Sequence, residues 1–239
     1  MTLDGAGALG DASRMILLLL AALLWVGVHV GISGTALRGL AVARLGEAGF
    51  TIAFSVLSVA AIALLVLAWQ GAETAPVWFA PPWLRWVIAL LMLPAFVLFA
   101  CSLIGNPTAK GGGGLIAQGP RGIQRVTRHP MLVSFALWAA LHVAGNGDSA
   151  AIVFFGAFLV TAVAGMPSID AKMAKRHGQA WRDFAAATSI LPFGAILAGR
   201  GRLELREIGW LAPLLGVVLW AAVLHGHRQL FGVPALILH

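Results

Sequence analysis

Charge is scarce in this sequence. Of 239 residues only 10% are Asp, Glu, Lys or Arg, against 60% hydrophobic, and the mean hydropathy is +0.91. A soluble domain cannot cover its surface with so few charges, so the composition defines an integral membrane protein. Cysteine is scarcer still. Cys101 stands alone, which excludes an intramolecular disulfide and a thiolate metal cluster, and no Cys-x-x-Cys-His run exists to attach a c-type haem. Any cofactor is therefore held noncovalently. The chain also lacks a long internal repeat and any low-complexity tract beyond Gly111 to Gly114, so residues 1–239 read as one domain. Nucleic acid is not expected as a partner despite a net charge of +7, because the basic residues lie in gaps between apolar blocks and form no contiguous face.

What is present is a series of apolar runs long enough to cross a bilayer as helix. Five are plain: Met15 to Ile32, Ala48 to Trp69, Trp86 to Ile104, Ser149 to Met166 and Ile208 to Leu224. Met131 to Ala144 is shorter. Counting it as a sixth span divides the 16 lysines and arginines into 13 on one side and 3 on the other. The expected fold is thus an all-α polytopic bundle of about six helices. By the positive-inside rule both termini are periplasmic and the basic loops cytoplasmic, in a bacterial inner membrane. The first run reads as a retained helix, because Asp4 and Asp11 precede it and no clean cleavage site follows. "VWFAPPWLRW" is expected along the outer surface, where indole rings favour the lipid interface.

The basic loops differ in kind. The stretch from Gly105 to Pro130 contains four consecutive glycines, is not expected to be regular helix through Gly111 to Gly114, and reads as a lid or binding loop. The stretch from Ser168 to Phe193 spaces Ile169, Met173, Trp181 and Phe184 at helical intervals among basic residues. That pattern suits either a helix lying on anionic lipid or a solvated topology loop.

Ionisable side chains inside a span are costly in lipid and mark function by default. Two histidines qualify. His29 lies near the inner end of the first run and His142 deep in the fourth, each with a tryptophan one turn earlier, Trp25 and Trp138. Gly27 and Gly31 flank His29, and Ala139 and Ala140 precede His142. Two neutral imidazoles walled by aromatic and small residues suit the axial positions of a noncovalent haem b, with His29 and His142 as its metal ligands. The alternative is that each imidazole hydrogen-bonds a neighbouring helix and serves packing alone. Arg128 and His129 lie before Pro130, at a helix start that favours anions. Glu47 is expected to cap its helix and pair with Arg44, while Asn146 and Asp148 read as turn and cap residues. His225, His227 and His239 are too few to make a metal site.

The segments "HVGISGTALRGLAVARLGEAGFTIAFSVLSV", "RVTRHPMLVSFALWAALHVAGNGD" and "KRHGQAWRDFAAATSILPF" occur in order, and the chain resembles the NnrU family from about Leu18 to Pro234. The resemblance implies several things. A plant branch of that family, the 15-cis-zeta-carotene isomerases, carries haem b, and its haem-associated histidines correspond to His29 and His142. A cysteine of the plant motif falls on Ala139, so a cysteine-dependent ligand switch has no counterpart at this site. Bacterial members are associated with nitrite and nitric oxide metabolism. The implied functions are redox chemistry linked to nitrogen oxides, or cis–trans isomerisation of a polyene. Trp25 and Trp138 would wall the haem, and Arg128 with His129 would hold a propionate or substrate anion. Expected partners are membrane lipid, a hydrophobic small molecule and a redox partner.

A second resemblance stays in view. Arg128-His129-Pro130 with Gly178-x-x-Trp181-x-x-Phe184 resembles membrane S-adenosylmethionine-dependent methyltransferases. The adjacent Glu pair of those enzymes is missing before Gly178.

Overall fold

The computed structural model describes residues 4–103 and 113–236. Of the expected lid or binding loop, Gly105 to Pro130, residues 105–112 lie outside the described residues. The described residues form helices α1 (Asp4–Val26), α2 (Leu37–Gly71), α3 (Pro82–Ser102), α4 (Gly113–Ile116), α5 (Pro130–Asn146), α6 (Ser149–His177), α7 (Gln179–Ala186), α8 (Gly194–Leu197), α9 (Leu205–Ile208) and α10 (Leu211–Phe231). Among them the sole extended pairing is a single bridge between Pro76 and Asp148. Five helices are long and apolar enough to span a bilayer, and α5 is an apolar helix of 17 residues, at the short end of the spanning range.

The helices are apolar all round, as helices facing lipid must be. On α1, Leu18, Ala21, Ala22 and Val28 are buried at helical spacing while Leu17, Leu20 and Leu23 are exposed. Exposed leucines on every side would be untenable in water.

The chain divides into two compact units, residues 1–80 with 142–168 and residues 81–141 with 169–239. In the first, α1 and α2 form an antiparallel hairpin closed by an Arg14–Glu73 contact at 4.0 Å. Gly46, at φ +72°, kinks α2 into stretches 37–45 and 47–71, with Glu47 opening the long one. Glu47 pairs with Arg38 at 2.8 Å, correcting the expected Arg44 partner, because the kink folds the short stretch back over Phe50. Residues 75–78 pair with 147–149, and Trp78 donates its Nε1–H to the Ala144 carbonyl. Gly147 is required there. It adopts φ +69°, and a Cβ on it would collide with the Trp78 carbonyl.

In the second unit α3 packs on α10, with Trp220 donating to the Ala89 carbonyl at 2.8 Å. Trp181 and Phe184, each 2% exposed, are buried with Ile116 and Met173 rather than spread on a lipid surface. Gly178, at φ +55°, ends α6 and lets α7 turn its apolar pair inward, leaving Lys175, Arg176 and Arg182 exposed. Gly113 and Gly114 are helical in α4, contrary to the expectation for the glycine run.

Candidate functional site

His29 stands where α1 widens into a π-helical turn, Gly27–Ile32. Such turns are rare and concentrate at functional positions. The glycines on either side leave space: a Cβ on Gly27 or Gly31 would meet nothing within 4 Å. The His29 Nδ1–H donates to the Trp25 carbonyl at 2.9 Å. A carbonyl can only accept, so Nδ1 carries a proton, and in the neutral imidazole the lone pair is then on Nε2. This is the state of a metal-ligating imidazole whose other nitrogen is fixed by a carbonyl.

A continuous series of ring contacts within the first unit runs from His29 to His142. His29 packs on Trp25 at 3.9 Å with the rings tilted by 34°, and meets Phe54 edge-on at 5.5 Å; Trp25 contacts Phe158 at 4.9 Å. Phe158 contacts Phe154 at 5.3 Å, Phe154 contacts Phe155 at 5.0 Å, and Phe155 stacks on His142 at 4.5 Å. The phenylalanines come from one face and one shoulder of α6. Their spacing, 154, 155 and 158, is the i, i+1, i+4 pattern of a helix edge. Trp69 stacks on Phe154 at 4.4 Å from α2. Trp138 is half-buried on α5, one turn before His142. Asn146 donates to the His142 carbonyl at 2.8 Å and so closes the end of α5, while Asp148 caps α6 through the Ala151 N–H.

The donor set can be tested against haem b. Two axial nitrogens suffice, and the Nδ1–H bond to the Trp25 carbonyl leaves the His29 Nε2 as one candidate, while Gly27 and Gly31 open the opposite face of the same turn. Among the described residues no group of three or more His, Cys, Asp or Glu surrounds a metal position, so a zinc-type site has no donors. The residues around His29 supply one such nitrogen in an apolar, aromatic setting, the chemistry a noncovalent haem uses.

Arg128 and His129 lie in the second unit and share one partner that sequence reasoning missed. Asp170 accepts from Arg128 Nε and Nη2, the latter at 2.5 Å, and from His129 Nε2–H at 2.7 Å. The His129 side chain is 1% exposed. Pro130 opens α5 immediately after it. The preceding turn is fixed by Arg128 N–H to the Ser189 carbonyl, Thr127 Oγ1–H to the Ile190 carbonyl and Phe193 N–H to the Val126 carbonyl. Asp170 thus ties the start of α5 to α6, and it occupies three of the donors expected to hold an anion.

Outside the spans, Glu207 accepts from Arg125 Nε at 2.7 Å and from the Gly122 N–H at 2.9 Å. The guanidinium and the amide together hold its carboxyl down at about 2, and the same contact raises the Arg125 guanidinium. His225 and His227 each direct Nδ1–H to a backbone carbonyl.

Five long apolar helices, with the His29 imidazole bonded to the Trp25 carbonyl inside the first, define a polytopic helical membrane protein. The chain belongs to the NnrU family, whose sequence pattern, described as NnrU protein, matches residues 17–235. It is 33% identical over 82 residues to the chloroplastic 15-cis-zeta-carotene isomerase of Zea mays, covering 34% of this chain and 22% of that protein. It is 33% identical over 79 residues to the enzyme of the same name from Arabidopsis thaliana, covering 33% and 22%. The chain therefore matches about a fifth of the length of these curated relatives. No solved structure matches it.

Proposed function

We propose that this NnrU-family protein binds one haem b through His29 and His142 and acts in redox chemistry linked to nitrogen oxides in a denitrification setting. The observation that carries this reading is the His29 Nδ1–H bond to the Trp25 carbonyl, which leaves Nε2 as a donor inside an apolar span. Bound there, a haem would supply reversible one-electron chemistry and affinity for nitric oxide. The chain's own residues would do the rest. Trp25 fixes the His29 tautomer, the Phe154, Phe155 and Phe158 rings exclude water, and Asp170 sets the entry of α5 through Arg128 and His129.

The reading is tested by absorption spectra of detergent-purified protein, oxidised and dithionite-reduced. Sharp reduced bands that disappear in His29→Ala and His142→Ala support it. A flat visible spectrum after expression with ample haem overturns it.

Isomerisation of a polyene is the second reading, and the names of the two plant relatives favour it. A row of rings from Trp25 to Phe155 suits a long apolar conjugated molecule. It predicts a change in the absorption of a cis carotene incubated with reduced protein; unchanged spectra across several polyenes remove it.

A further inference from the structure

Two buried side-chain polar atoms have no hydrogen-bond partner among the described residues, Trp25 Nε1 and Ser58 Oγ. Both depart from what their own residue types do elsewhere in this chain. Trp78 and Trp220 donate Nε1–H to carbonyls at 3.0 and 2.8 Å. Thr51, Ser55 and Thr161 return their hydroxyls to the carbonyl four residues earlier at 2.7 to 2.8 Å. A buried unpaired donor is costly, and its presence in a native fold calls for an explanation.

The two orphans lie at one level of the same helical hairpin. His29 meets Phe54 across it at 5.5 Å. Trp25 is four residues before His29 on α1, and Ser58 is four residues after Phe54 on α2. Because the helices are antiparallel, both displacements run the same way, by about 6 Å each. Ser58 shares the face of Phe54, which Ala61 and Leu65, both fully buried, continue.

The donors state what would satisfy them. An indole N–H can only donate, and the Ser58 hydroxyl, which does not return to the carbonyl four residues earlier as Ser55 does, has its proton to give. An oxygen with two lone pairs and no proton can accept from both, and a carbonyl is the strongest such acceptor an apolar molecule carries. The buried residues of the same two helices, Leu18, Ala21, Ala22, Ala61 and Leu65, are apolar, so the remainder of the ligand is apolar too. Trp25, His29 and Phe158 offer flat faces for a flat ring. Trp25 is seven residues from the end of the span at Ile32, about 10 Å inside it, below the level of phospholipid ester carbonyls.

We propose that Trp25 Nε1 and Ser58 Oγ bind a carbonyl oxygen of a membrane-soluble quinone. This deepens the haem reading by naming the redox-active class that reaches the His29 site, and the binding itself does not require the haem. The full chain is placed in nanodiscs of ether-linked phosphatidylcholine, which lack lipid carbonyls, and titrated with decylubiquinone. Among the nine tryptophans, the Trp25 indole nitrogen–proton resonance is the one lost in Trp25→Phe. The expected result is a saturable downfield shift of that resonance, weakened roughly tenfold in Ser58→Ala and retained in Ser58→Thr. Without quinone, Ser58→Ala leaves the melting temperature unchanged or raises it, since it deletes an unpaired group. An unmoved Trp25 resonance, equal binding by Ser58→Ala, or a quinone-free loss of stability in Ser58→Ala overturns the proposal. Haem content is read separately by visible absorption, so the two readings fail independently.

Discussion

Asp170 neutralises a guanidinium and accepts an imidazole N–H; the His129 side chain is 1% exposed and the Arg128 side chain 12%, so both donors are largely withdrawn from water. Asp170→Asn should therefore cost about 3–5 kcal/mol, the loss expected when one partner of a buried ion pair is removed. Thermal unfolding in detergent checks it, and Arg128→Met added to Asp170→Asn should restore part of the loss; an unchanged melting temperature would contradict the latch. Glu207 makes a pH prediction of definite sign. Its folded pKa lies at about 2 against an ordinary 4.5, so its contribution is fully present above 4.5 and is lost only as pH falls through about 2. Carboxyl-carbon NMR should find it ionised at pH 3, and titration near 4.5 would refute the Arg125 clip. The histidines were legible in the sequence because an ionisable group in an apolar run is conspicuous. Asp170 was not, since pairing with residues more than 40 positions earlier leaves no trace in spacing. The orphaned state of Trp25 and Ser58 is likewise a property of packing alone.

Helices α3 and α10 approach so closely that a Cβ on Gly216 would lie 2.6 Å from the Val97 Cα. Backbone cannot yield as a side-chain end can, so Gly216→Ala should destabilise by about 1–3 kcal/mol through overpacking. Gly39, also helical, has nothing within 4 Å, and Gly39→Ala should instead stabilise by about 0.5–1 kcal/mol. Opposite shifts in melting temperature are the expected outcome, and shifts of one sign would show that helix propensity alone decides both. Apolar run length revealed all six apolar helices, because lipid demands it. Their ends were harder to read. α2 begins at Leu37 rather than Ala48 because Gly46 bends the helix instead of ending it, and α6 runs on to His177 until Gly178 stops it. The inward turn of Trp181 and Phe184 was invisible because the same spacing serves a lipid-facing or a protein-facing stripe.

For the whole molecule, the number of crossings rests on α5, 17 residues long beside five longer helices. Six crossings place both termini on one side, five place them on opposite sides. Reporter fusions to the two ends should both read periplasmic, and opposite signals would make α5 a buried non-spanning helix. His29 and His142 belong to one compact unit although 113 positions separate them. The most direct test of the proposed haem ligation is chemical rescue. His29→Gly protein is purified with haem supplied, and its reduced absorption spectrum is recorded with and without free imidazole. Loss of the sharp reduced bands and their return on adding imidazole is the predicted result; bands indifferent to both the substitution and the imidazole would contradict ligation by His29.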